Sequence, residues 1–287
     1  MGWLLSWWQH DANPLATGSQ LLYFTECSTT SDRSPWNPLV TLVLKPKVIL
    51  AGLAFSVLCL STAHFASQYV KYAQGLHYQW GFERQFNMVN EANVPTWFSS
   101  MILLMSAVLL TLAARCEWEH GGQDRRYWAG LAGIFFCLSL DEAAQIHETF
   151  TLGDRVQLPG IFYYSWIIVG CLGVTTIGLL YLGFLARLPG EIRWLFVLAG
   201  GLYVGGALGV EMLESRYQYL YGTWTDLNYS LLVGLEETME MTGVIVFIYG
   251  IALYLARTGH TLSLCFAQDP RAVAEGSPDT VPQRIRY

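Results

Sequence analysis

Residues 231–256 read LLVGLEETMEMTGVIVFIYGIALYLA. A run of about 18 or more apolar residues with few charges reads as a transmembrane helix. Yet Glu236, Glu237 and Glu240 stand inside this run, and the next basic residue is Arg257. Acids inside a span are costly enough that function is the default reading.

The rest of the chain has the same character. Of 287 residues, 53% are hydrophobic and 13% charged, with mean hydropathy +0.34. A soluble domain carries about a quarter charged residues. The apolar residues fall in six blocks, at 47–69, 95–115, 127–148, 161–186, 192–214 and 229–256. They predict an all-α polytopic membrane protein, a six-transmembrane-helix bundle occupying 37–257. Residues 1–36 form an N-terminal segment whose Trp3, Trp7 and Trp8 suit the headgroup level. MGWLLSWWQH lacks the basic n-region of a cleavable signal. Residues 258–287 are polar and contain Pro and Gly, as expected of a mobile cytoplasmic tail. Six scattered cysteines without C-x-x-C suggest neither a disulfide framework nor a thiolate zinc site. A net charge of −6 with no basic stripe excludes nucleic acid as a partner, leaving the lipid bilayer.

Lys and Arg set the orientation. Twelve of the 16 lie on one side of the predicted spans; Lys71, Arg84, Arg155 and Arg216 lie on the other. Basic residues stay cytoplasmic in short loops, so both termini are expected inside, at a bacterial inner membrane. Span 3 then carries Asp141, Glu142 and Glu148 outward, and span 5 ends on Glu211 and Glu214. Span 6 descends from the outer side, placing Glu236, Glu237 and Glu240 about 10–16 Å below it. Three helices thus bring eight carboxyl groups to the periplasmic half.

Periodicity assigns faces. Asp141, Gln145 and Glu148 stand at i, i+4 and i+7, one stripe of a regular helix. His147 would point about 120° from Asp141, joining only if the helix frays. Gly201, Gly205 and Gly209 form a G-x-x-x-G-x-x-x-G ridge along which another helix could approach.

So many carboxyl groups cannot all be ionised together without compensation. A bound divalent metal, with Fe, Mn, Zn and Ca all suited to some oxygen-rich set, is the first form it could take. Its candidate ligands are Asp141, Glu142, His147, Glu148, Glu211, Glu214, Glu236, Glu237 and Glu240, followed by Glu91, His64 and His77. The Glu-x-x-His pairs of ferritin-like sites are missing from spans 3, 5 and 6. Such a metal would suit an enzyme acting on a lipid-soluble substrate, or the carboxyl groups could do acid–base work without it. The second form is protonation in a proton- or cation-coupled transporter, against which no acid continues the path inward from Glu240. The third is a hydrated vestibule in a structural subunit of a membrane complex.

The loop KYAQGLHYQWGFERQFNMVNEANVPTWFSS, residues 71–100, lies on the side of the acids. Pro95 can open span 2, with Asn93 or Thr96 as its cap. Trp80, Phe82, Phe86 and Trp97 could form a lid at the interface.

Through NEANVPTWFSS, CLSLDEAAQIHE, GGALGVEMLE and LEETMEMTG, the chain resembles a group of uncharacterised bacterial multi-span membrane proteins over about residues 65–256. The resemblance implies a shared fold and site and brings no activity with it. Ser139 and Asp141 fit part of the ceramidase and adiponectin-receptor pattern, but that pattern's three span-end histidines are missing.

Overall fold

The computed structural model describes residues 40–41, 45–76, 80–147, 158–258 and 263–264. The calls on residues 1–36 and on the tail beyond 258 lie almost wholly outside them, as do Glu148 and His77. One unit, residues 1–44 with 261–287, contains a two-residue antiparallel pair, Val40–Thr41 with Ser263–Leu264. The other, residues 45–260, is helical.

Its main helices are α1 (Pro46–Ala73), α3 (Val94–Glu119), α4 (Arg125–Ala144), α5 (Trp166–Arg187), α6 (Gly190–Val204), α7 (Glu211–Tyr221) and α8 (Leu227–Arg257), with a short α2 (Phe82–Phe86). Five helices are long and apolar enough to cross a membrane: α1, α3, α5, the continuous Gly190–Tyr221 and α8. The third predicted span is the 20-residue α4, which is not among those five. Arg125 and Arg126 open it and Asp141 and Glu142 close it, which leaves a short apolar centre.

Helix ends follow local chemistry. Asn93 caps α3, its Oδ1 accepting from Thr96 N–H at 3.1 Å, with Pro95 in the first turn. Asp226 caps α8 through Tyr229 N–H at 2.9 Å. Ser100 and Ser139 donate to each other's carbonyl at 2.9 and 2.8 Å, locking α3 to α4.

The helix carrying the opening stretch is the hub. α8 packs against α1, α3, α6 and α7, and Met241, Val244, Ile248 and Ile251 on it are at most 1% exposed. Small residues set the closest approaches. A Cβ on Gly243 would come within 2.8 Å of the Ala199 carbonyl and Tyr203 nitrogen of α6. By contrast α5 stands at the rim, with 11% of its apolar window buried.

Two features depart from the sequence expectation. Helix 190–221 does not end at Glu214; it continues to Tyr221, so Glu211 and Glu214 lie within it. It is also not regular, because Gly205–Val210 forms a π-helical turn between α6 and α7. The extra residue shifts the glycine register. A Cβ at Gly201 or Gly209 would meet nothing within 4 Å, whereas one at Gly206 would meet the Glu236 carbonyl at 2.9 Å and Glu240 Cγ at 3.0 Å. The predicted ridge is therefore not the contact face at those two positions; Gly206 is.

Candidate functional site

At the end of the bundle where α1, α4 and α7 finish and α3, α5 and α8 begin, the predicted acids come together. Glu142 of α4 lies beside Ser99 and has Glu91 and His147 as charged neighbours. Glu237 faces Glu142, Glu214, Glu91 and Glu211; Glu240 faces Glu237, Glu142, Glu211 and Glu214. Glu142, Glu211, Glu236, Glu237 and Glu240 are half-buried, with some surface within reach of water. Glu214 is 3% exposed, and its Oε1 has no hydrogen-bond partner.

The acids are paired with distinct partners. Glu214 has Glu236 and Tyr229 for neighbours. Tyr229 reaches on to the Tyr164 hydroxyl at 3.1 Å. Glu211 Oε1 accepts from Trp166 Nε1–H at 2.7 Å, tying α7 to the start of α5. Among the described residues no three His, Cys, Asp or Glu side chains stand close enough together to hold a metal ion.

Asp141 and His147 meet because the regular helix ends between them, the route the sequence reading left open. α4 stops at Ala144, and Gln145 adopts a left-handed conformation with φ 54°. The regular helix stops before Gln145, so the predicted stripe does not continue from Asp141 to Gln145, and Glu148 lies outside the described residues. Instead Asp141 Oδ1 accepts from His147 N–H at 2.7 Å, and Oδ2 from His147 Nδ1 at 2.9 Å. The imidazole lies 4.9 Å from the Trp166 ring.

His64 is close by in the fold but does other work. It is fully buried; Nε2 donates to the Ser230 carbonyl at 2.9 Å, and Nδ1 accepts from Met88 N–H at 3.0 Å. Both ring nitrogens are thus used, in the neutral form, to fasten the loop at 80–93 between α1 and α8. The expectation that His64 is a ligand does not fit this arrangement. The loop is held further by Glu83, which accepts from Lys71 at 2.7 Å and Asn87 at 2.9 Å. Glu91 on that loop is exposed yet a charged neighbour of Glu142 and Glu237. Trp80 and Trp97 are 90% and 64% exposed.

Sequence reasoning missed the neutral partners. Tyr203 of α6 has Glu240, Glu142, Asp141 and Glu237 for charged neighbours. Trp166, Tyr164, Tyr229 and Ser99 also belong to the site, and aromatic residues near span ends read as interfacial anchors. A tyrosine seven residues before Glu236, on the same helix face, was the one available signal.

Beyond Glu240 the bundle is dry. Phe247 stacks on Phe135 at 4.5 Å and packs on Phe196 at 4.4 Å, and Trp128 packs on Phe184 at 5.0 Å and Tyr254 at 4.6 Å. No charged residue follows Glu240 on α8 until Arg257.

A family model described as a domain of unknown function (DUF8692) matches residues 43–255. No curated protein and no solved structure matches the chain.

Proposed function

This chain belongs to the DUF8692 family, and on that footing we propose that it binds a divalent cation at the carboxyl cluster of α4, α7 and α8. In this reading it is a six-span protein of a bacterial inner membrane, both termini cytoplasmic, with the site open to the periplasmic side. One observation carries the proposal: carboxyl groups of three helices are charged neighbours within an apolar bundle, Glu237 of Glu142, Glu211 and Glu214, and Glu240 of Glu142, Glu211, Glu214 and Glu237. Each ionised carboxyl at such depth costs about 2.5–3.5 kcal/mol even on lenient scales, so the group needs positive charge.

Closeness of the carboxyl groups fits a proton-balanced form of that site. Metal ligands must be deprotonated, so an entering ion displaces any proton the carboxyl groups hold. Fe, Mn, Zn and Ca all suit part of this donor set. A bound ion supplies Lewis-acid chemistry, and a site beside lipid suits a lipid-soluble substrate.

Proton-coupled transport is the second reading, favoured by the closeness of Glu214 and Glu236. The aromatic packing around Phe247 opposes it, since a path from Glu240 to the other side meets buried rings.

Calorimetric titration of the full-length protein in detergent with Mn²⁺ and Zn²⁺, in two buffers of different ionisation enthalpy, tests the proposal. Stoichiometric binding with proton release is expected, lost in Glu237→Gln and Glu240→Gln. Absence of binding, together with no metal in purified protein, rejects it. Proton flux into proteoliposomes, abolished by the same variants, would establish transport in its place.

A further inference from the structure

We infer that the polar cleft in the loop between α1 and α3 is a headgroup site for a zwitterionic membrane phospholipid, one that carries a primary ammonium beside its phosphate. The inference does not rest on the cation-site reading; it requires only that the helices cross a bilayer.

Position comes first. α1 has 28 residues and α3 has 26, so each is about 40 Å long and outruns a hydrocarbon core of about 30 Å. The loop that joins their ends therefore stands at the depth of lipid headgroups. Trp80 and Trp97 flank its central part in sequence and are exposed, and amphipathic rings collect at that depth.

Shape comes next. A cleft of about 500 Å³ is lined by Glu83, Arg84, Gln85, Asn90, Glu91 and Ala92, a size within the range of small-ligand sites. Its walls are braced by buried groups. Glu83 Oε1 accepts from Lys71 Nζ and Asn87 Nδ2. Asn93 Nδ2 donates to the carbonyls of Asn87 and Asn90, and Met88 N–H donates to His64. Trp80 and Ala92 hold left-handed φ angles of 54° and 56°, which non-glycine residues rarely adopt. Strained backbone persists only where its surroundings over-determine it, and such strain gathers at ligand clamps. The cleft is thus formed before a ligand arrives.

Chemistry then selects the occupant, because the lining offers both signs of charge. Arg84 is exposed and, among the described residues, makes no salt bridge. A guanidinium takes a phosphate with two parallel N–H donors. The carboxyl groups of Glu83 and Glu91 suit an ammonium. A carboxylate accepts several donors at once, so neither acid has to release the partners it already has. The amides of Gln85 and Asn90 can serve either part of the headgroup. Two acids disfavour a headgroup of net negative charge, and a trimethylated ammonium brings no N–H for them to accept. What remains is phosphate and –NH₃⁺ on one lipid, as in phosphatidylethanolamine.

Native mass spectrometry of the full-length protein in detergent, given equal amounts of phosphatidylethanolamine, phosphatidylcholine and phosphatidylglycerol, tests this. Wild type should retain phosphatidylethanolamine ahead of the other two. Arg84→Gln should lower that retention at least about tenfold, the scale of one lost charged hydrogen bond. Its helical circular dichroism should not change, since Arg84 lies on the surface. Glu91→Gln should keep lipid bound and erase the preference over phosphatidylglycerol. A general lipid shell would hold all three lipids alike in wild type and variants, and that result overturns the inference. A preference that survives both substitutions unchanged overturns it as well. Free phosphoethanolamine bound as tightly as the lipid overturns the lipid assignment and makes the occupant a soluble solute.

Discussion

Gly206 shows how one residue decides what may stand beside the acids. Its missing side chain lets the Glu236 carbonyl and Glu240 Cγ come to 2.9 and 3.0 Å of where a Cβ would be. Gly206→Ala should therefore cost about 1–3 kcal/mol, read as a lower unfolding temperature in detergent. Gly201→Ala, with nothing within 4 Å, should change stability by no more than about 0.5 kcal/mol. The G-x-x-x-G pattern pointed to the right helix and the wrong glycine, because an unannounced π turn moved the face. His64 carries a comparable lesson. Its sequence position allowed a ligand, and only the placement of Met88 and Ser230 shows both nitrogens engaged. His64→Leu should cost about 1–3 kcal/mol for each buried backbone group left unpaired. Asn93, by contrast, was legible, since capping chemistry is local.

The ends and irregularities of helices decide which acids meet. In a regular helix each residue turns about 100°, so the π turn at Gly205–Val210 sets the heading of Glu211 and Glu214. Deleting Gly209 should restore α-helical register, keep the helical circular dichroism and swing both carboxyl groups off the cluster. Loss of calorimetric Mn²⁺ binding with unchanged helicity is the expected result. The end of α4 is equally specific. Gln145→Val should destabilise by about 1–2 kcal/mol, because left-handed geometry is hardest for β-branched residues, while Gln145→Gly should be near neutral. Neither irregularity was readable beforehand: periodicity assumes a continuous helix, and both occur where it stops being one.

For the whole molecule, each of the six apolar blocks falls on a helix, but the fifth runs on from Glu214 to Tyr221, and α4 is not among the five long and apolar enough to cross a membrane. That the acids of α4, α7 and α8 lie toward one end of the bundle followed from counting along those blocks. Their pairing did not, because it depends on tyrosines and a tryptophan that look like membrane-surface anchors. The aromatic packing beyond Glu240 makes a prediction at this scale. Wild-type proteoliposomes should hold a pH gradient, and Phe247→Ala, removing a ring packed against Phe135 and Phe196, should make them leak and lower stability by about 3–5 kcal/mol. α5, meanwhile, is the least embedded strut of the assembly, yet its first residue, Trp166, grasps Glu211. Any tilt of that outlying strut tugs on an acid at the heart of the protein, so a lipid or neighbour leaning on the periphery has a lever that reaches the centre.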